Sequence, residues 1–297
     1  MFEVSEAAVD IDALQSWIGR QEVRQDVITL GPVTGLSATL DYPGPLAEAG
    51  EPLPPGWHWL YFLPTAPSAE LGEDGHPRRG GFLPPVPLPR RMWAGSAVRF
   101  HDELCVGDVV RRVSTVDDVI YKRGASGELV FVKVRHEVFR AQQCVIEEQQ
   151  DLVYRAASPV PAIPAKPAPG VATWSRELQP DPVMLFRFSA LTFNAHRIHY
   201  DRDYARDSEG YPGLVVQGPF TAMLLLDLLR REMPGARIAS FSFRALRPLF
   251  DLGPLHLQGR PDGDRVQLWA LDSDGALAME VEACLLYTSP SPRDQRE

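Results

Sequence analysis

An amide, two imidazoles and a guanidinium fall within six residues, Asn194-Ala-His196-Arg197-Ile-His199, inside the stretch Phe188-Ser-Ala-Leu-Thr-Phe-Asn194-Ala-His196-Arg197-Ile-His199-Tyr200-Asp201. Gln217-Gly218-Pro219 follows and opens a long apolar run. A polar knot facing a buried helix is what acid–base chemistry on an apolar acyl chain requires. Imidazole titrates near neutral pH, so His199 is the candidate base. Asn194 cannot exchange a proton, but its amide can hold a water in line. His196 precedes His199 by three residues; if the segment is helical they share a face, and His196 either relays a second proton or makes a structural hydrogen bond. His-x-x-His lacks a third ligand in the sequence, so no metal is expected, and the chemistry calls for no cofactor. Arg197 either binds an anionic group of a ligand or pairs with Asp201 or Asp203.

The knot resembles the active-site signature of the MaoC-like hydratases, the R-specific enoyl-thioester hydratases of the hot dog fold, in which an Asp is followed five residues later by a His. His199 falls on the family's catalytic His and Asn194 on its Asp, while His196 and Arg197 replace the usual Asn-Pro pair. The Asn-x-His-Arg-Ile-His-Tyr-Asp form is similar to one branch, the type 2 hydroxyacyl-thioester dehydratases, which includes mesaconyl-CoA (3-methylfumaryl-CoA) hydratases. Pro54-Pro-Gly-Trp57-His-Trp59-Leu-Tyr-Phe-Leu-Pro64 and Leu88-Pro-Arg90-Arg91-Met92-Trp93-Ala-Gly95 carry the likeness further, and it runs from about Trp17 to about Cys284.

The resemblance implies reversible hydration of a 2-enoyl thioester, with a short branched or dicarboxylic acyl group preferred. His199 would be general base, Asn194 would position water, and His196 would assist. Gly218, at the positive N-terminal end of a helix and lacking a Cβ, would donate its N–H to the thioester oxyanion. Arg197 would bind a carboxylate at the far end of a dicarboxylic acyl chain or a CoA phosphate if it is not paired with Asp201 or Asp203, and Tyr200 would touch substrate. Arg90 and Arg91 would form a basic lip, and Met92 and Trp93 an apolar wall. A hot dog thioesterase is the second reading, weakened because no carboxylate stands at position 194. A non-catalytic acyl-binding protein silenced by the Asp-to-Asn change is the third.

These side chains need a scaffold. Phe220 to Arg231 is apolar on nearly every face, the pattern of a buried helix. Val266, Leu268 and Ala270, then Leu277, Met279 and Val281, alternate about an Asp274-Gly275 turn, which predicts a hairpin. In the first half, Ile11 to Ile18 reads as a short helix, and Ala97–Phe100, Val109 onward, and a hairpin of Val119–Tyr121 with Leu129–Val134 read as strands. Trp57, Trp59 and Tyr61 alternate as a strand would, with their rings in the core. The fold class is therefore α+β, a double hot dog: two antiparallel sheets, each around a buried helix, packed as an intrachain pseudo-dimer. Residues 1–156 form a non-catalytic half with the acyl/CoA pocket, 157–170 a Pro-rich semi-rigid linker, and 171–284 the catalytic half. Residues 285–297 break into Pro, Ser and Arg and read as a non-native tail.

With 297 residues, 44% hydrophobic and 23% charged, the chain has an ordinary globular composition. A net charge of −9 argues against a nucleic-acid partner. No apolar run of about 20 residues suggests a membrane span, and the acidic N-terminus lacks a signal-peptide core. Cys105, Cys144 and Cys284 are scattered, as reduced thiols of a cytoplasmic protein would be. The partner expected is an acyl-CoA or acyl-carrier thioester, with homodimerisation implied by the family.

Overall fold

The structure is a computed structural model that describes residues 9–42, 47–124, 127–156 and 164–286. Ten antiparallel strands form one continuous sheet. The first half contributes β1 (Gln21–Val27), β2 (Arg90–Phe100), β3 (Val109–Gly124), β4 (Gly127–Arg140) and β5 (Gln143–Arg155). The second contributes β6 (Trp174–Leu178), β7 (Ile238–Ala245), β8 (Leu255–Asp262), β9 (Arg265–Leu271) and β10 (Leu277–Leu285). The order β1-β3-β4-β5-β2-β7-β10-β9-β8-β6 reads the same from either edge towards the centre. Each half is thus a strand, a helix, a long connection and four more strands, with α2 (Leu30–Thr39) and α3 (Pro182–Leu191) as the matching helices. A short α1 (Ile11–Gln15), capped by the Asp10 carboxylate, precedes β1.

The halves join where β2 pairs β7, from Gly95 opposite Arg244 to Arg99 opposite Ser240. Gly95 is required there: a Cβ would lie 2.5 Å from the carbonyl oxygen of Phe243. The β-bulge between Trp93 and Gly95 lets β2 bend as it enters the junction.

The second half wraps its strands around α4 (Gly218–Glu232), whose residues Phe220 to Leu229 are all buried. The expected counterpart in the first half does not form. Residues 52–89 carry ten prolines, and among the described residues they make only two short 3₁₀ turns, Trp57–Leu60 and Ser68–Glu70. Proline lacks the N–H of the helical ladder and clashes with the preceding turn, so no long helix can run through them. Trp57, Trp59 and Tyr61 therefore lie on or beside a 3₁₀ turn entered through Gly56 (φ 86°), and not on a strand. The single sheet likewise replaces two separate ones, because the β2–β7 pairing closes the gap between halves.

Within the expected linker, residues 157–163 lie outside the described residues; 164–170 form no helix or strand, and the Lys166 carbonyl accepts the Leu277 N–H at 2.8 Å. Leu285 still belongs to β10, so the strand continues one residue past the expected boundary. Residues 287–297 of the suspected tail, and residues 1–8, are outside the described residues. No helix is long and apolar enough to cross a membrane among the described residues.

Candidate active site

The Asn194–His199 segment hangs from the end of α3. The Asp181 carboxylate caps that helix by accepting the Met184 N–H at 2.8 Å, with Pro182 in the first turn. Phe193 then takes a left-handed turn (φ 48°) and the Asn194 N–H bonds the Ser189 carbonyl at 2.8 Å. The Asn194 Oδ1 accepts the His196 N–H at 3.1 Å, and Arg197–His199 forms one 3₁₀ turn. His196 is the cap of this turn, not a member of an α-helix, so the two imidazoles meet edge to face with ring centroids 5.4 Å apart.

His199 is buried and its Nδ1 lies 2.7 Å from the Val215 carbonyl. A carbonyl only accepts, so Nδ1 carries the proton and Nε2 keeps its lone pair. Burial pushes its pKa down to about 4, with the Val215 acceptor opposing the shift and His76 adding to it. The imidazole is neutral at neutral pH, the form a general base needs. His196 is pushed well below the ordinary histidine range by burial, with His76 and His199 beside it.

A loop from the first half docks on this segment. The Asp74 carbonyl accepts the Arg197 N–H at 2.9 Å, and Gly75 (φ 89°) passes so close to the Ala195 carbonyl that a Cβ would sit 1.9 Å from its oxygen. The loop carries His76 to within 4.1 Å of His196, centroid to centroid. One Asp74 carboxylate oxygen accepts the His76 N–H and the other accepts from His76 Nδ1, both at 3.0 Å. Burial, then the Arg91 charge, lower His76 to about 4 against the pull of Asp74. Burial alone would raise Asp74, but the His76 hydrogen bonds outweigh it and hold the carboxyl below its usual range. Asp74, His76 and His196 present donor atoms within 4.8 Å of one another and are the residues able to hold a metal ion, although the Asp74–His76 hydrogen bond already uses part of that set.

His76, Asn194, His196 and His199 line a cavity of about 980 Å³ between the halves, large enough for a small-molecule ligand, while Asp74 does not reach it. Asn194, His196, His199, Tyr200 and Gly218 come together there, with Arg91, Met92 and Trp93 from β2. Gly218 opens α4, where a helical N–H has no acceptor within its own helix. Arg91 has no hydrogen-bond or ion-pair partner among the described residues. Trp93 is held by its indole N–H, which reaches the Gly95 carbonyl and Ser96 hydroxyl at 3.0 Å each.

Two expected contacts are absent from the lining. Arg197 turns outward, bonds Asp201 through Nε (3.0 Å) and Nη2 (2.7 Å), reaches the Glu73 carbonyl and stacks on Tyr204. It is the Asp201 ion pair, and it braces the docked loop. Arg90 is held by the Glu209 carbonyl at 2.7 Å and its carboxylate at 3.3 Å, over the Tyr211 ring.

Of the first-half wall, sequence reasoning singled out Arg91, Met92 and Trp93 and missed the rest. Besides His76, buried Glu148 accepts from Ser96 and Trp59 and pairs with His58 at 3.1 Å. Burial alone would raise its carboxyl, but the His58 and Ser96 hydrogen bonds hold it at about 2. The Gln217 amide nitrogen bonds the Leu185 carbonyl and Ser189 hydroxyl, which leaves its buried Oε1 unpartnered among the described residues. Asp74-Gly-His76 carried one usable signal, an acid and a base either side of a glycine.

Residues 56–251 match the family model of hydroxyacyl-thioester dehydratase type 2. The chain belongs to that family, whose members are hydro-lyases. It is 51% identical over 268 residues to the mesaconyl-C(4)-CoA hydratase of Chloroflexus aurantiacus, covering 90% of this chain and 95% of the relative. The mitochondrial hydroxyacyl-thioester dehydratase type 2 of Schizosaccharomyces pombe is 29% identical, over 79% and 88% of the two chains. A MaoC-like dehydratase from Phytophthora capsici superposes with a TM-score of 0.65 at 13% identity, over 95% of this chain and all of that one. A Mycobacterium tuberculosis protein described as a double hot dog fold gives 0.56 at 14% identity, over 91% and 96%. These likenesses establish the fold as a double hot dog. Asn194 lies within the matched residues, and its Oδ1 accepts the His196 N–H.

Proposed function

We propose that the protein adds water reversibly across a 2-enoyl-CoA thioester whose acyl group bears a second carboxylate, such as mesaconyl-CoA. The observation that carries this reading is the neutral, buried His199 with Nε2 free and Gly218 at the first turn of α4, in one cavity. The 51% identity to a mesaconyl-C(4)-CoA hydratase supports the acyl class.

In hydration, His199 Nε2 takes a proton from water as the oxygen bonds Cβ. The π electrons move towards the thioester oxygen, where the Gly218 N–H stabilises the enolate; one such donor contributes roughly 3 kcal/mol. His199 then returns the proton to Cα. Asn194, whose Oδ1 is turned to the His196 N–H, donates an amide N–H to the water oxygen and fixes its approach. Arg91 takes the distal carboxylate, the role expected of Arg197, because it lines the cavity and its guanidinium has no partner among the described residues. His196 packs between His199 and the docked loop.

The test incubates purified protein with mesaconyl-CoA and with crotonyl-CoA, following enoyl-thioester absorbance beside a free-thiol assay, with His199→Ala as control. Hydration of mesaconyl-CoA that vanishes in the variant is the expected result. Thiol release without hydration would replace this reading by a thioesterase.

A further inference from the structure

The attacking water has four directions to satisfy, and the second half alone fills three. One hydrogen goes to His199 Nε2, one lone pair attacks Cβ, and the other accepts from the Asn194 amide. The second hydrogen needs an acceptor. A carboxylate at position 194 would be a charged one, whereas the neutral Asn194 Oδ1 already accepts the His196 N–H and has one lone pair left, without charge. His196 is not placed to replace it with charge behind it, since its ring is packed between two other imidazoles.

The docked loop of the first half brings what is missing. His76 lines the same cavity, beside His196. Its Nδ1 faces the Asp74 carboxylate at 3.0 Å. An ionised carboxylate only accepts, so it draws the proton to Nδ1 and leaves Nε2 as an acceptor, the tautomer logic of a carboxylate-backed histidine. The second Asp74 oxygen accepts the His76 N–H and locks the carboxylate orientation. Gly75 between them permits the approach to the Ala195 carbonyl that seats the pair. A loop serving only as a lid would need neither the acid nor the base.

We propose that His76, held by Asp74, is a second catalytic residue of the hydration: its Nε2 accepts the second hydrogen of the water that His199 deprotonates. The proposal rests on the hydratase reading above. Atoms balance without a further reactant. One water proton passes to His199 and on to Cα, the hydroxyl bonds Cβ, and the hydrogen held by His76 remains on the product hydroxyl. In dehydration His76 accepts from the hydroxyl that departs. Asp74 touches no reacting atom; it is a positioning residue, and its charge favours the imidazolium that forms on His199 in passing. The half without the signature motif is thereby part of the chemistry, and supplies the carboxylate absent at 194.

Asp74→Asn is the discriminating variant. It keeps size, the main-chain bond to Arg197 and an oxygen for the His76 N–H, but its amide donates to Nδ1 and moves the ring proton to Nε2. We expect kcat on mesaconyl-CoA to fall by about 100-fold or more, KM to stay within a few-fold, and the ¹⁵N shifts of the His76 ring to exchange between nitrogens. His76→Ala should lose as much and be partly restored by added imidazole, which a purely structural role would not allow. Wild-type kcat in Asp74→Asn, or a His76→Ala variant that folds, binds product and resists imidazole rescue, overturns the proposal. Wild-type protein silent on mesaconyl-CoA and crotonyl-CoA alike would instead remove the hydratase reading, and this one with it.

Discussion

The imidazole of His199 donates its Nδ1 proton to the carbonyl of Val215 at 2.7 Å, and the Val215 N–H returns a bond to the Ile198 carbonyl at 2.9 Å. This reciprocal clasp ties the 3₁₀ turn of the catalytic segment to the strand-like approach of α4. It fixes the ring tautomer with a neutral acceptor, so burial is not offset by a nearby anion and the base stays unprotonated well below neutrality.

The acid limb of the rate profile follows. His199 must be neutral to take a proton, and its folded value of about 4 lies below the ordinary 6.5. Activity should therefore hold from pH 7 down towards 5 and fall as pH drops through about 4. Measuring kcat/KM against pH reports the free enzyme; a limb centred near 6.5 would contradict the buried, neutral base.

The same histidines set acid stability, with the sign reversed from a salt-bridged case. His76, His136 and His199 are each lowered to about 4 in the fold, chiefly by burial. The unfolded chain protonates them first, so stability is unaffected above about pH 6.5 and is lost between there and about 4. Buried His199 would cost up to roughly 3 kcal/mol across that window, and the partly buried His76 and His136 less. Urea unfolding at pH 7 and pH 5 should show the midpoint falling at the lower pH, and His136→Phe should reduce the fall.

Much of this was legible beforehand, and the reason is local. His199, Asn194 and Gly218 sit in contiguous motifs with strong patterning, and α4 declares itself by being apolar all round. Strand alternation likewise revealed β9 and β10. The first half was illegible where its function depends on long-range docking: nothing near residue 76 announces that it meets residue 196. Arg197 carried two readings, a substrate anion or an ion pair with Asp201 or Asp203, and the structure takes the second through the Asp four residues on. Alternation at Trp57, Trp59 and Tyr61 misled, because Gly56 and the surrounding prolines bend the backbone into a turn.

Arg91 should decide acyl preference. It lines the cavity with no partner for its guanidinium among the described residues, and a charge-assisted contact to a carboxylate is worth about 1.5–3 kcal/mol. Arg91→Ala should lower kcat/KM for mesaconyl-CoA by about 10- to 100-fold while leaving crotonyl-CoA within about threefold. Because Arg91 also depresses His76, the variant should raise the His76 titration. Equal losses on both substrates would assign Arg91 to CoA instead.

Asp227 separates stability from chemistry. Its side chain is fully buried on α4 and meets Arg176 (3.1 Å), Arg230 (2.9 Å) and Arg231 (2.6 Å). Removing the carboxylate strands three partly buried cations, so Asp227→Ala should cost about 3–5 kcal/mol. Since Gly218 lies at the opposite end of the helix, kcat at 25 °C should stay within about twofold. Thermal melts and initial rates on one preparation check both halves of the statement.

Gly75→Ala should couple the two losses that Asp227→Ala separates. The added Cβ would fall 1.9 Å from the Ala195 carbonyl oxygen, and φ of 89° disfavours any L side chain. Neither a rotamer change nor a flexible neighbour can relieve a clash with main chain, so the loop must withdraw. Withdrawal breaks the Asp74–Arg197 main-chain bond and carries His76 away from His196. Backbone strain of this kind costs on the order of 1–3 kcal/mol, a Tm loss of several degrees for a chain of this size. Activity should fall far more than that loss explains. A Gly75→Ala protein with a lowered Tm but unchanged kcat would mean that the docked loop adds stability and nothing to the reaction.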